Sequence, residues 1–283
     1  MPGIYDEPEF YVAACAYRDV PSEVAALLRW WGLHSGQDEA GRGAQPEAGR
    51  GAQREDRRPR SALELAAGPA EHARELAARG VAATALDINP QMCAWAQERA
   101  AQAGLALTVV TADMRDFSLP APVDLAITML NSVCHLFTLD DLVAHLTAVA
   151  GQVTGGGLYI MELAHPADAL SREQRTSSDW VSDVDDGSVT VHWGGPRDQI
   201  DPVTQVTREH VTVTYRKNDG TVRTVTDVVP NRFWTATEVD AAVRLAGGFT
   251  IAARYGDFDG DVPLDAPSAW RMIMVLRRAA DGD

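Results

Sequence analysis

From Ser61 onward the chain alternates strand-like and helix-like stretches at short intervals, and few folds accept that rhythm. The runs SALELAAG, VAATALDI, LALTVVTADM, VDLAITML and GGLYIMELA are short and apolar, as buried strands are. Residues 71–79, 90–103 and 139–153 carry helical spacing instead. Pro90 and Asp140 stand where helices start, and Gly80 and Gly104 where they stop. Strands that alternate with helices across short turns predict a parallel sheet covered on both faces. Right-handed crossovers make such a sheet doubly wound.

The rhythm changes on either side of this stretch. Between 188 and 229 the runs VTVHW, TQVTREHVTVTYR and TVRTVTDVV alternate with a period of two. Asn218-Asp219-Gly220 between two of them is a hairpin signal, because these residues tolerate positive φ. A helix over 238–246 and two strands, FTIAARY and WRMIMVLRR, close the chain. At the other end, Val24, Leu27, Leu28 and Trp31 share one helix face, with Pro21 and Ser22 near its start. Next comes a tandem duplication, EAGRGAQ at 39–45 and again at 47–53, polar, Gly-rich and too poor in apolar residues to order itself. The expected organisation is a helical arm (1–34), a mobile loop (35–60), an α/β core (61–166 and 230–283) and an inserted antiparallel β lid (167–229). The loop reads either as a drifted insertion or as a functional lid.

Bulk properties narrow the function. With 283 residues, 46% of them hydrophobic and 23% charged, the chain suits one large globular domain with an embellishment. A formal charge of −15 repels a phosphate backbone, so nucleic acid is not an expected partner; solubility alone also accounts for it. Cys15, Cys93 and Cys134 are far apart, as reduced cytoplasmic thiols would be. No apolar run is long enough to span a membrane, and the first 18 residues lack the basic start and apolar stretch of a signal peptide. A cytoplasmic location is the expectation.

The chemistry lies in where the acids fall. Glu64 sits in the first strand, just before the turn Ala66-Ala67-Gly68-Pro69-Ala70; Asp87 ends the second strand and Asp113 the third. In an open parallel sheet the ligand crevice lies beyond the carboxyl ends of the strands. Asp87 is placed to accept hydrogen bonds from two ribose hydroxyls, and Asp113 to meet an adenine amino group. Acids near helix starts are also common for structural reasons. A dinucleotide fingerprint wants three glycines, and here two of those positions are alanine. A P-loop Lys-Ser/Thr, a G-x-S-x-G elbow and metal-ligand spacing are missing.

ELAAGPA, then LDIN, TADMRDF and VDLAITMLNSVCHL, resembles the signature of class I S-adenosylmethionine-dependent methyltransferases. ADMRDFSLP, SVCHL after the fourth strand and a β insert after the fifth are similar to a narrower group, the glycine N-methyltransferase-like enzymes and antibiotic sugar N,N-dimethyltransferases. The likeness covers 61–166 well, and the insert and YGDFDGD more loosely. It implies S-adenosylmethionine as cofactor, while the lack of metal-ligand spacing predicts no metal. Glu64, Ala66 and Gly68 would face its methionyl part, Asp87 and Ile88 its ribose and adenine, and Asp113 and Met114 the adenine ring. Leu130 and Asn131 would stand near the sulfonium. Ala66 and Ala70 depart from the family's glycines, and a positive φ at Ala66 would be costly.

The methyl acceptor is expected to be a small, specialised metabolite receiving the methyl on nitrogen or carbon, with a homodimer possible and no membrane partner. His135 is the candidate base, or else a structural cap of the loop before Leu139. Tyr11 either closes over the cofactor or packs. Glu162 and His165 end the fifth strand and face the same crevice in this reading. Trp180, Trp193 and Trp234 offer stacking or cation–π surfaces to the acceptor, or form the core of the insert. The rival readings are a nicotinamide-dependent oxidoreductase on the same fold and a cofactor-binding relative without catalysis.

Overall fold

The computed structural model describes residues 3–36, 58–170, 177–259 and 262–280. The duplicated segment lies outside the described residues, as do Gly260 and Asp261 of YGDFDGD. The flanks of the expected loop are tied down: Gly36 N–H donates to the Gly156 carbonyl at 2.8 Å, and Arg60 N–H to Asp124 Oδ2 at 2.8 Å.

The α/β alternation builds one seven-stranded sheet. In chain order it uses β1 (Ser61–Leu65), β2 (Ala82–Asp87), β3 (Leu107–Thr111), β4 (Val123–Thr128), β5 (Val153–Ala164), β10 (Phe249–Tyr255) and β11 (Arg271–Arg278). Their spatial order is β3-β2-β1-β4-β5-β11-β10. The first five pair in parallel, and β11 runs antiparallel to both of its neighbours. The predicted doubly wound, mostly parallel sheet is therefore present. Winding reverses between β1 and β4, so a crevice opens beyond the carboxyl end of β1.

Two faces are buried, and the strands show it residue by residue. Leu158 and Ile160 of β5 pack on one side with α2 (Val20–His34) and α3 (Glu71–Ala78). Tyr159 and Met161 pack on the other with α5 (Leu139–Gln152) and α7 (Ala236–Ala246). Helix starts are set by local chemistry. The Asn89 side chain accepts from the Gln91 and Met92 N–H groups at the head of α4 (Pro90–Gln102), with Pro90 at its first turn. Thr138 and Asp141 form a reciprocal capping box on α5, as Thr235 and Glu238 do on α7.

The insert is a four-stranded antiparallel sheet, β6-β7-β8-β9, from β6 (Ser177–Val184), β7 (Gly187–Gly194), β8 (Val206–Lys217) and β9 (Val222–Arg232). Gly220 at φ 88° makes the β8–β9 turn, as its sequence predicts. β6 was not expected; SSDWVSDV is polar and does not alternate cleanly. The arm divides between the two sheets. α2 buries Val24, Leu27, Trp30 and Trp31 against the α/β core. α1 (Pro8–Ala14), with Ile4 before it, buries Phe10, Ala13 and Ala14 on Val189, Val191, Val211, Val213 and Val229 of the insert.

Candidate functional site

Beyond β1 the chain turns sharply. Ala66, Gly68 and Ala70 hold φ of 49°, 52° and 57°. For alanine that left-handed conformation costs roughly 1–2 kcal/mol per residue. The turn nonetheless takes the path that glycines would take. Two interactions hold it there: Ala67 N–H donates to the Leu86 carbonyl at 2.9 Å, and Gly68 N–H to Asp87 Oδ2 at 2.6 Å. Asp87 Oδ1 accepts from Asn89 N–H at 2.8 Å. Burial raises the Asp87 carboxyl above its ordinary range despite these bonds.

Ala70 cannot cap α3, and Glu64 does so in its place. Its Oε2 accepts the Ala73 N–H at 2.7 Å, reaching across from β1. Oε1 of Glu64 stands 3.3 Å from His72 Nδ1, and His72 Nε2 lies 2.7 Å from Glu23 Oε2. Burial opposes a charge on His72, but the bonds to Glu23 and Glu64 outweigh it and raise the ring to about 9. Glu23 continues to Arg18 at 2.8 Å, and Arg18 grips Glu162 with two bonds of 2.7 and 2.8 Å. Arg271 pairs with the same carboxylate at 2.9 Å. Burial pushes Glu162 up, yet the two guanidiniums and Leu130 N–H bring it down to about 2. A buried ionic chain thus runs from the turn after β1, through the arm, to the ends of β5 and β11.

That chain fixes the next turn as well. Leu130 and Asn131, past β4, hold φ of 55° and 60°. Leu130 N–H donates to Glu162 Oε2 at 2.9 Å, and Asn131 Oδ1 accepts from Ala164 N–H at 2.9 Å. Strained backbone held by such bonds clusters at sites that need a fixed shape.

Facing these turns is a cavity of about 1260 Å³. Its near wall carries Ala66, Gly68, Asp87, Ile88, Asp113, Met114, Leu130 and Asn131. Its far wall comes from Tyr5, Tyr11 and Tyr17 of the arm, His135, and Trp180, Trp193, Glu209 and Asp227 of the insert. His135 ends the 3-10 turn Ser132–His135. Its Nε2 lies 3.2 Å from the Tyr5 hydroxyl, with the rings edge to face at 5.4 Å. Burial lowers its basicity, so the ring is neutral near pH 7. Thr138, not His135, caps the following helix. Tyr11 stands over the first turn: a Cβ added at Gly68 would meet its Cε1 at 3.9 Å.

Four of the expected site residues do not line this cavity. Glu64 is 3% exposed and committed to His72 and Ala73, so it supports the turn rather than facing a ligand. Glu162 is fully buried between Arg18 and Arg271. His165 faces the Leu264 carbonyl at 3.0 Å and accepts from Ala167 N–H, which orients α6 (Pro166–Leu170). Trp234 is 4% exposed, donates to the Val133 carbonyl at 3.3 Å and lies under the Arg232 guanidinium at 3.7 Å. Acids and aromatics at strand ends look alike in sequence whether they face a crevice or a buried partner. Asp113 lines the cavity, but both its oxygens accept from Arg115. Tyr5, Arg18, His72 and Glu209 were missed. Only Glu209 carried a usable signal, since period-two alternation puts it on the same face as Val211 and Val213.

Residues 62–157 match the methyltransferase domain family model. No curated protein matches the chain. Among solved structures, DesVI from Streptomyces venezuelae is similar with a TM-score of 0.70 and 21% identity, over 96% of this chain and 95% of that one. The CcbJ methyltransferase from Streptomyces caelestis has a TM-score of 0.69 and 18% identity, over 98% and 99% of the two chains. CalS10, an amino pentose methyltransferase from Micromonospora echinaspora involved in calicheamicin biosynthesis and solved with S-adenosylmethionine bound, has a TM-score of 0.60 and 21% identity, over 78% and 84%. The strand order, the crevice at the β1/β4 switch point and the family match agree: the chain carries a methyltransferase domain on the fold of the S-adenosylmethionine-dependent methyltransferases.

Proposed function

We propose that the protein transfers the methyl group of S-adenosylmethionine to a nitrogen or carbon of a small organic acceptor, of the specialised-metabolite kind handled by CalS10. The observation that carries this reading is Asp87. It is a carboxylate preset by the Gly68 and Asn89 N–H groups at the end of β2, on the wall of a cavity that opens at the switch point. Two further features fit the cofactor. Ile88 lines the cavity yet is 67% exposed, an apolar surface suited to one face of a purine. The first turn carries no side chain at Gly68, so backbone can come close to a ligand.

When bound, the cofactor supplies a methyl group already activated on a sulfonium. The residues of the chain then have four tasks. Asp87 accepts ribose hydroxyls and sets the cofactor's position along the sheet edge. Leu130 and Asn131 hold the backbone past β4 in place through Glu162 and Ala164, which orients the reacting centre. Tyr5, Tyr11 and Trp180 cover the chamber and exclude water. His135, neutral and bonded to the Tyr5 hydroxyl, takes any proton the acceptor must lose.

Calorimetry tests the cofactor assignment. S-adenosylhomocysteine is expected to bind, and tighter binding of NAD would overturn the reading in favour of an oxidoreductase. His135→Asn is expected to lower turnover while leaving S-adenosylhomocysteine affinity unchanged. Full turnover in that variant removes His135 from the mechanism.

A further inference from the structure

The turn that follows β3 is held from behind by groups to which the steps above give no task. Its place beside the crevice is set by β2. Asp87 and Thr111 are paired across the two strands, and Ala112 N–H donates to the Asp87 carbonyl at 3.0 Å. Asp113, Met114 and Arg115 continue the cavity wall from there, next to the ribose anchor and Ile88. A purine attached to that ribose meets this turn.

The peptide that joins Met114 to Arg115 is pinned at both ends. Its N–H donates to Asp113 Oδ1 at 2.8 Å, and its carbonyl lies 2.9 Å from His145 Nδ1 of α5. His145 is fully buried, and its Nε2 lies 2.6 Å from the Tyr159 hydroxyl of β5. That hydroxyl lies 2.7 Å from Thr128 Oγ1 of β4. A carbonyl oxygen only accepts, so Nδ1 carries the ring proton. Burial brings the ring down to about 4, so it is neutral and Nε2 accepts from Tyr159. Tyr159, its one proton used, accepts from Thr128. Every donor in the series points toward the turn, and one tautomer of His145 is fixed.

Asp113 shows what this tether controls. Its oxygens take the Arg115 N–H and guanidinium, and Arg115 is drawn in turn by Asp141 from the first turn of α5. Two oxygens carry roughly four acceptor positions, so the carboxylate can still take a ligand N–H. α5 thus grips the turn at two points, and they differ in strength. The Arg115–Asp141 pair is open to solvent, the guanidinium 45% exposed, and such pairs are worth little. The bond from His145 is buried, and no water replaces it when it is lost. The buried point decides where the carboxylate faces.

We propose that His145 is a positioning residue for the nucleoside base: it sets the Met114–Arg115 peptide, and through it the Asp113 carboxylate, to accept the exocyclic amino group of adenine. This rests on the methyl-transfer reading above. Asp113 touches the base, and His145 acts only through the turn. The site is then selective for adenine over hypoxanthine, whose oxygen at that position brings no proton to the carboxylate and leaves it unpaired.

The test is calorimetry on the full chain with S-adenosylhomocysteine and S-inosylhomocysteine, which differ only in that edge of the base. The wild type is expected to prefer the adenosyl compound by about tenfold or more, the size of one buried polar mismatch. His145→Leu, which has no donor, is expected to cut the preference by about threefold or more. His145→Asn, whose Nδ2 takes the place of Nδ1, is expected to restore most of it. A purely structural role would instead lower both affinities together at a constant ratio. Tyr159→Phe removes the group that fixes the tautomer and is expected to lower the preference as well. Thermal melts show which variants fold, and Tyr159→Phe carries the comparison if His145→Leu does not. A wild type without the preference, a preference unchanged in the folded variants, or equal loss in His145→Leu and His145→Asn overturns the positioning role while methyl transfer stands. If S-adenosylhomocysteine fails to bind the wild-type chain, it is the methyl-transfer reading that falls.

Discussion

The two walls of the cavity are built on different principles. The near wall is backbone: turns past β1, β2 and β4 whose positive φ values at Ala66, Gly68, Leu130 and Asn131 are held by short hydrogen bonds to Asp87 and Glu162. The far wall is side chain, assembled from an N-terminal 3-10 turn, a loop after β4 and the β insert, which meet only in space. A wall of backbone accepts few ligands, because its donors and acceptors sit at fixed spacing. A wall of side chains can be rewritten residue by residue without moving the sheet. One fold can then keep one cofactor and change its acceptor.

The hardest way to break this contrast is to remove the charge that binds the two walls together. Glu162→Ala leaves Arg271 buried without its partner and Arg18 with Glu23 alone, and should destabilise the chain by roughly 3–5 kcal/mol. Thermal or urea unfolding reads this directly, and a loss well below that range would mean that water relaxes around the arginines. Asp87→Ala comes next. Loss of hydrogen bonds to a charged acceptor should weaken S-adenosylhomocysteine, read by calorimetry, by roughly 1.5–3 kcal/mol. Unchanged affinity would show that the near wall does not hold the ribose.

A pH series addresses the ionic chain itself. The folded state raises His72 from 6.5 to about 9, so its contribution to stability is complete below pH 6.5 and is lost as pH rises through about 9. Melting temperature should fall over that window in the wild type, and fall less in His72→Gln. Parallel curves for the two proteins would remove the histidine from the account. The smallest effect is expected at the first turn. Ala66→Gly relieves a left-handed alanine but loosens the unfolded chain, for a net gain of about 0.5–1 kcal/mol. A loss on substitution would mean that the alanine methyl group packs usefully in the turn.

How legible each wall was follows from the same distinction. Strand–helix alternation is local, and it predicts the doubly wound sheet, the acids at the ends of β2 and β3, and the turn at Gly220; the observed strand order places the switch point between β1 and β4. Glu64 and Glu162 were assigned to the crevice on equal footing with Asp87, and the structure buries both. Nothing within a few residues of Glu162 reveals that Arg18, 144 positions away, takes up its charge. Tyr5 and His135 meet across 130 positions, and Trp234 looked available because its partner, the Val133 carbonyl, lies 101 positions upstream.

Periodicity and turn chemistry act over a few bonds, so the residues alone determined the sheet, its winding and the edge at which a ligand would lie. Which carboxylates stay free at that edge depended on long-range pairing. A buried charge takes whichever counter-charge the tertiary fold brings within about 3 Å, and only the assembled chain settles that choice.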